Sequence, residues 1–198
     1  MNDQVDMRSI YKAIPFCFLL LSCSLLPQPT GTVTKYILTK PAIQNSSKRS
    51  AEKQIFVVQP SLSVVLQDHN RIVYYPTSQK IEYLAGGEWA QKLDLMVWET
   101  LFEALKSSHK FKTVLSDVAP AEGLFLKTHI AVLGIEQDGL QQKAHVAYEF
   151  SLFGPENKLI SQKRIEQTIE VKDATLDIIV SCLNMAHQKI IMEYVQML

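Results

Sequence analysis

The side chain with the clearest chemistry is a cysteine close to the N-terminus. Leu20-Leu21-Ser22-Cys23 closes an apolar run that begins near Ala13. A short apolar segment ending in a small residue and then Cys is the pattern of a bacterial lipoprotein signal. Cleavage between Ser22 and Cys23 leaves the Cys23 thiol to carry lipid. The run is shorter than the roughly 20 residues a membrane-spanning helix needs and matches the roughly 7–15-residue apolar core of a signal peptide. The plainer alternative makes Cys23 an ordinary small residue inside a non-lipidated secretory signal. Ser24, which is not acidic, resembles the residue that follows the cysteine in lipoproteins sent to the outer membrane. Two start positions are open: Met1, whose leader mixes Asp3 and Asp6 with Arg8 and Lys12, and Met7, whose leader carries positive charge alone.

The remaining candidates for chemistry are sparse. Of three cysteines, Cys17 leaves with the signal and Cys23 is blocked by lipid, so Cys182 has no intrachain disulfide partner. It sits among apolar residues at helical spacing and reads as a buried small hydrophobe. There is no Gly-x-Ser-x-Gly, no His-Glu-x-x-His, no cysteine pair at metal spacing and no phosphate-cradling glycine loop ahead of a helix. Among the five histidines, His145 and His129 fall on the wet face of adjacent strands. His145 is placed to pair with Glu166, and a zinc pair from the two histidines lacks further ligands. His69, His109 and His187 read as surface or loop residues. The 20 basic and 20 acidic residues balance, which argues against a polyanionic partner. No catalytic residue, metal site or cofactor is expected beyond the covalent lipid on Cys23.

These side chains need a scaffold. Residues 1–22 read as signal, 23–32 as a lipidated tether with Pro27, Pro29 and Gly31, and 33–198 as one domain large enough for a core of its own. A first strand is expected over 34–38, a mobile polar loop over 40–53, and a strand covered on both faces over 55–58. A hairpin follows from Arg71–Tyr75 and Lys80–Leu84 around Pro76-Thr77-Ser78, ending at Gly86-Gly87. Trp89, Leu93, Val97, Leu101 and Leu105 then recur every four residues, which predicts a helix with Lys92, Asp94, Glu99, Glu103 and Lys106 on its wet face.

Even positions are apolar from Ala144 to Leu152 and again at Leu124, Leu126, Ile130 and Val132. Facing residues of an antiparallel pair share a side. A three-residue loop Gln137-Asp138-Gly139 is therefore predicted, setting Val132 against Ala144, Ile130 against Val146, Leu126 against Phe150 and Lys127 against Glu149. After Gly154-Pro155-Glu156-Asn157 the apolar positions turn odd, placing Leu152 against Leu159 and Val146 against Ile165. A last helix is expected from about Asp173 to Gln196, buried along Ala174, Ile178, Cys182, Ala186 and Ile190. The expected architecture is α+β, a largely antiparallel sheet with two amphipathic helices packed on one face.

The outer face of this meander reads equally as a solvated surface or a subunit contact. Leu62, Val64 and Val65, with Tyr74, Tyr75 and Tyr83, form a candidate partner interface, because aromatic residues are enriched in interface cores. The alternative is that the 61–70 loop folds back on the core.

The order of motifs resembles a known family. After the Leu-Leu-Ser-Cys box come Thr-Lys-Tyr-Ile-Leu at 34–38, Ile-Phe-Val-Val-Gln-Pro at 55–60, Arg-Ile-Val-Tyr-Tyr at 71–75, Ile-Glu-Tyr at 81–83 and Glu-Trp-Ala-Gln-Lys-Leu at 88–93. This series resembles the ABC-type transport auxiliary lipoproteins, which include PqiC-like proteins. The resemblance implies a non-catalytic lipoprotein, anchored in the outer membrane and facing the periplasm. Its implied partners are an ABC transporter and a mammalian-cell-entry (MCE) domain protein that moves lipids between membranes. It also implies a homo-oligomeric ring that receives the end of the MCE tube. Two other readings compete: a lipoprotein that assembles or plugs an outer-membrane barrel or secretin, and a hydrolase, which would need a pocket with converging carboxylates or a Ser–His pair.

Overall fold

Two stretches repeat apolar residues at helical spacing, and in the computed structural model both are helices. The structure describes residues 32–43, 53–67, 70–120 and 122–198. The signal, Ser22, Cys23, almost all of the tether, both candidate start residues, His69 and most of the polar 40–53 loop lie outside them. Val33–Leu198 forms one compact unit. Its elements are β1 (Thr34–Tyr36), β2 (Gln54–Val57), β3 (Ser61–Leu62), the short helix α1 (Val64–Gln67), β4 (Arg71–Thr77), β5 (Lys80–Trp89), α2 (Leu93–Ser108), β6 (Thr113–Leu115), β7 (Leu124–Asp138), β8 (Gln141–Phe153), β9 (Leu159–Val171) and α3 (Leu176–Met197).

The class is α+β, and the sheet is mixed. Long antiparallel pairings join β7 to β8 and β8 to β9, and β4 pairs antiparallel with β5. The other five pairings are short and parallel. One edge of β7 carries β8. The other receives β2 at 124–126, β3 at 129–130 and β4 at 134–136 in succession. These short strands are reached by loops and helices, so no turn motif in the sequence announces their direction.

The β7–β8 hairpin overturns the predicted loop. Asp138 pairs with Gln141, leaving Gly139 and Leu140 as a two-residue turn. Gly139 has φ 60 while Leu140 keeps an ordinary backbone, the signature of a type II′ hairpin turn. This turn sets odd positions of β7 against even ones of β8, as in Leu133–Val146 and Ile135–Ala144. A bulge between Ile130 and Val132 adds one residue and restores even to even, as in Ile130–Tyr148 and Leu126–Leu152. The parity argument assumed an unbroken ladder. One extra residue reverses which side chains point inward, so Leu126, Ile130, Leu133 and Ile135 all reach the core.

The second hairpin keeps the expected parity, but its register is shifted by two: Tyr148 faces Ile165 and Leu152 faces Ser161. Lys127 faces Ser151 rather than Glu149, and its ammonium lies 5.0 Å from the centre of the Phe153 ring. The β5 strand runs through Gly86-Gly87 to Trp89, because residues 84–87 bulge against β4 and carry the chain on to pair with β1. Trp89 is accordingly buried in a strand, and α2 starts at Leu93. In β2 only Ile55 and Val57 are fully buried; Phe56 is half-covered and meets Phe125 edge-on. The buried stripe of α3 includes the expected Cys182, Ala186 and Ile190 and is widened by Ile179, Leu183 and His187, whereas Ala174 and Ile178 are exposed. Both long helices and the inner face of the sheet share one core.

Candidate functional site

Register separates the six candidate interface residues. Leu62 faces buried Ile130 across β3 and β7, and Tyr74 faces buried Ile135 across β4 and β7. Both therefore lie on the helix-covered side, where they and Val65 pack against the core. The Tyr74 hydroxyl donates to Gln137 Oε1 at 3.0 Å. Val64 alone projects into solvent, 79% exposed. Tyr75 and Tyr83 lie on the opposite, uncovered face. A Cβ at Gly134 would come within 2.9 Å of the Tyr75 ring and 2.7 Å of the Val73 carbonyl oxygen, so only glycine lets β4 pack this closely there. Burial, aided by Glu136 and Tyr83, raises the Tyr75 hydroxyl above the usual phenol range. The Arg71 guanidinium sits 5.4 Å from the centre of the Tyr83 ring. The structure thus joins two of the six residues and disperses the rest.

The centre of the uncovered face is ionic. His145 Nδ1 is 2.6 Å from Glu136 Oε1. Its Nε2 stands 2.9 Å from Glu166 Oε1 without hydrogen-bond geometry, a diagonal contact, because His145 itself faces Thr168 across β8 and β9. Arg164 links onward to Glu166 and, through Nη1 at 2.9 Å, to Glu149. Glu136 escaped the sequence analysis because the two-residue turn shifts it relative to β8. His129 faces Glu149 rather than Ala147, and its Nδ1 is 2.9 Å from Ser61 Oγ. This is a Ser–His pair, but Glu149 is engaged by Arg164 and the pair lies on an open strand surface.

His187 is not a surface residue. It is fully buried where α2, α3 and β8 meet. The Thr100 hydroxyl donates to Val97 O at 3.0 Å and lies 2.9 Å from His187 Nε2, while the Tyr148 hydroxyl lies 2.8 Å from Nδ1. The one assignment that satisfies every donor places the proton on Nε2, where it is given to Thr100, with Nδ1 accepting from Tyr148. Burial lowers the imidazole from 6.5 to about 3, so the ring is neutral. Gln188 and Lys189 follow it directly, and the sequence offered helical spacing on α3 as the clue: His187 lies one turn beyond Leu183.

Three open grooves lie around the domain. One of about 430 Å³ is lined by Ile43, Lys110, Met192 and Val195; one of about 500 Å³ by Leu140, Gln142, Glu170 and Lys172; one of about 350 Å³ by Lys53, Lys112, Leu124 and Ile160. None of the three brings a nucleophile beside a base, and none is lined by Ser61 or His129. Among the described residues no three His, Cys, Asp or Glu side chains converge on a metal position. No helix among them is long and apolar enough to cross a membrane.

The comparisons follow this geometry. A family model described as the ABC-type transport auxiliary lipoprotein component matches residues 36–193. No curated protein matches the chain. Among solved structures, protein XCC0632 from Xanthomonas campestris is similar at 18% identity and a TM-score of 0.73, over 82% of this chain and 92% of that one. A second crystal structure, described as an uncharacterized protein, is similar at 17% identity and a TM-score of 0.66, over 83% and 98%.

Proposed function

The chain belongs to the ABC-type transport auxiliary lipoprotein family, and from that premise we propose that it is a non-catalytic docking subunit held at the outer membrane by acyl chains on Cys23. The domain faces the periplasm and recruits the MCE-domain protein of an ABC-driven lipid transport system. The observation that carries this reading is the family match from residue 36 to 193, beginning 13 residues after a lipoprotein-type cysteine. The geometry accords with it. The Ser61–His129 pair lacks a cleft, and among the described residues the one histidine with a strongly shifted pKa is sealed in the core. What the surface offers is area: an ionic sheet face with Tyr75 and Tyr83 at one end, suited to recognising another protein.

Anchoring follows from chain number. One acyl chain binds a bilayer marginally and two or more bind stably, so the multiply acylated cysteine of a lipoprotein suffices. The test is co-purification from detergent extracts of wild type and Cys23→Ser. Recovery of an MCE protein with its ABC transporter, together with acylated Cys23 by intact mass, is expected. Recovery of an outer-membrane barrel in their place, or membrane attachment of Cys23→Ser as strong as wild type's, would overturn the reading.

A further inference from the structure

The three uncovered surfaces of the domain differ in kind. The bare sheet face carries Glu136, Glu149 and Glu166 around His145 and Arg164. The outer side of α2 carries Glu99, Glu103 and Lys106, the last two paired with each other. The outer side of α3 exposes apolar side chains among polar ones, with Asp177 at its start. Ile178 and Met185 are 41% and 46% exposed there, with Ser181 between them and Lys189 one turn further on.

The chain leaving the tether lies along this same helix. The Tyr36 hydroxyl donates to Asp177 Oδ1 at 2.9 Å, Asn184 Nδ2 donates to Ile37 O at 3.1 Å, and the Thr39 amide donates to Asn184 Oδ1 at 2.7 Å. Val33 and Ile37, 49% and 58% exposed, add apolar side chains to the segment that runs beside α3. Lys40 and Lys189 are exposed on these two segments, and neither has an ion pair among the described residues.

We propose that the α3–β1 surface, centred on Ile37, Ile178 and Met185, lies against the bilayer, its aliphatic side chains among the lipid headgroups and its lysines on anionic lipid. This rests on the lipidated reading of Cys23. Nine residues separate Cys23 from Val33, ten steps that span at most about 36 Å when fully extended, little more than the ~33 Å length of a 22-residue helix. A domain held on so short a leash meets the membrane at high effective concentration. The surface nearest the leash offers apolar side chains to insert beside two lysines without ion pairs among the described residues, whereas the charges of the sheet face are largely engaged with one another.

The experiment places a reporter tryptophan on the full, acylated chain in vesicles of phosphatidylethanolamine and phosphatidylglycerol containing brominated phosphatidylcholine. Ile178→Trp is compared with Gln162→Trp, an exposed position on the sheet face, against the constant background of Trp89 and Trp98. Brominated lipid is expected to quench the added emission at 178 at least twofold and to leave that at 162 unchanged. Adding Ile37→Glu and Met185→Glu should abolish quenching at 178 while the far-ultraviolet circular dichroism stays native. Intact mass on the same samples separates the two claims. An acylated protein with no quenching at 178, or with equal quenching at both positions, overturns the membrane-facing surface and leaves lipidation standing. An unacylated Cys23 overturns both. A blue shift at 178 that depends on protein concentration rather than lipid assigns the surface to a second copy and also overturns the proposal.

Discussion

Two histidines on opposite sides of one strand show how differently this sheet uses the same side chain. His187 reaches Tyr148 on the helix-covered side of β8, where every polar atom of the Thr100–His187–Tyr148 chain has a partner and no water competes. His145 projects from the other side of β8, between Glu136 and Glu166, with both carboxylates partly open to solvent. A buried network is strong when complete and costly when broken, whereas solvent screens ion pairs and leaves each worth little. The lesson is one of stakes: the covered side holds the fold together, and the bare side is free to change with a partner.

The largest expected effect tests what holds β7 to its partners on both edges. Deleting Ala131 removes the bulge between Ile130 and Val132. The ladder to β8 then closes with Leu133 and Ile135 still inward, but on the other edge of β7 the stretch that pairs with β4 moves one residue toward the stretch that pairs with β3, so one of these two parallel pairings is lost. Destabilisation beyond about 4 kcal/mol is expected, read by urea unfolding, and a variant that melts like wild type would show that the bulge is dispensable. Next is His187→Ala, which opens a cavity and orphans the Tyr148 hydroxyl, expected to cost about 3–5 kcal/mol. Tyr148→Phe, which leaves only Nδ1 unpaired, should cost about 1–3 kcal/mol.

The pH response sharpens the same contrast. The His187 imidazole titrates near 3 in the folded chain and near 6.5 when exposed, so between these values the unfolded state binds the extra proton. Its contribution is fully present above about pH 6.5 and is lost as pH falls toward 3, by up to about 1.4 kcal/mol per pH unit. Urea midpoints measured downward from neutrality should fall more steeply for wild type than for His187→Leu, and parallel slopes would remove the histidine from the account. The smallest effect belongs to the bare face. Arg164→Ala should change stability by about 1 kcal/mol or less, shrinking as salt is raised. A loss as large as that of His187→Ala would end the comparison.

Much of the scaffold followed from residue pattern alone. The apolar spacing of Leu93, Val97, Leu101 and Leu105 marked α2, the alternation from Ala144 to Leu152 marked β8, and the odd positions after Asn157 carried the right parity for β9. His145 beside Glu166 was also foreseen. The bulge in β7 escaped because a single inserted residue leaves no compositional trace. β2 and β4 were expected as strands, but their parallel pairing to β7 escaped because it is made through crossovers that no turn motif marks, and two-residue β3 is too short to show a period. The candidate interface failed as a patch because Tyr74 and Tyr75, adjacent in sequence, point to opposite sides of a strand.

Local periodicity and the order of motifs determined by themselves the class of fold, the long helices, the meander and the family to compare with, because these depend on chemistry repeated over a few turns or strand residues. Tertiary structure alone decided which face each tyrosine occupies, that His187 is sealed inside, and that the bare sheet is ionic while the flank of α3 exposes apolar side chains. Each of those depends on register between distant segments, and one bulge or one turn residue sets register without changing the pattern on either side.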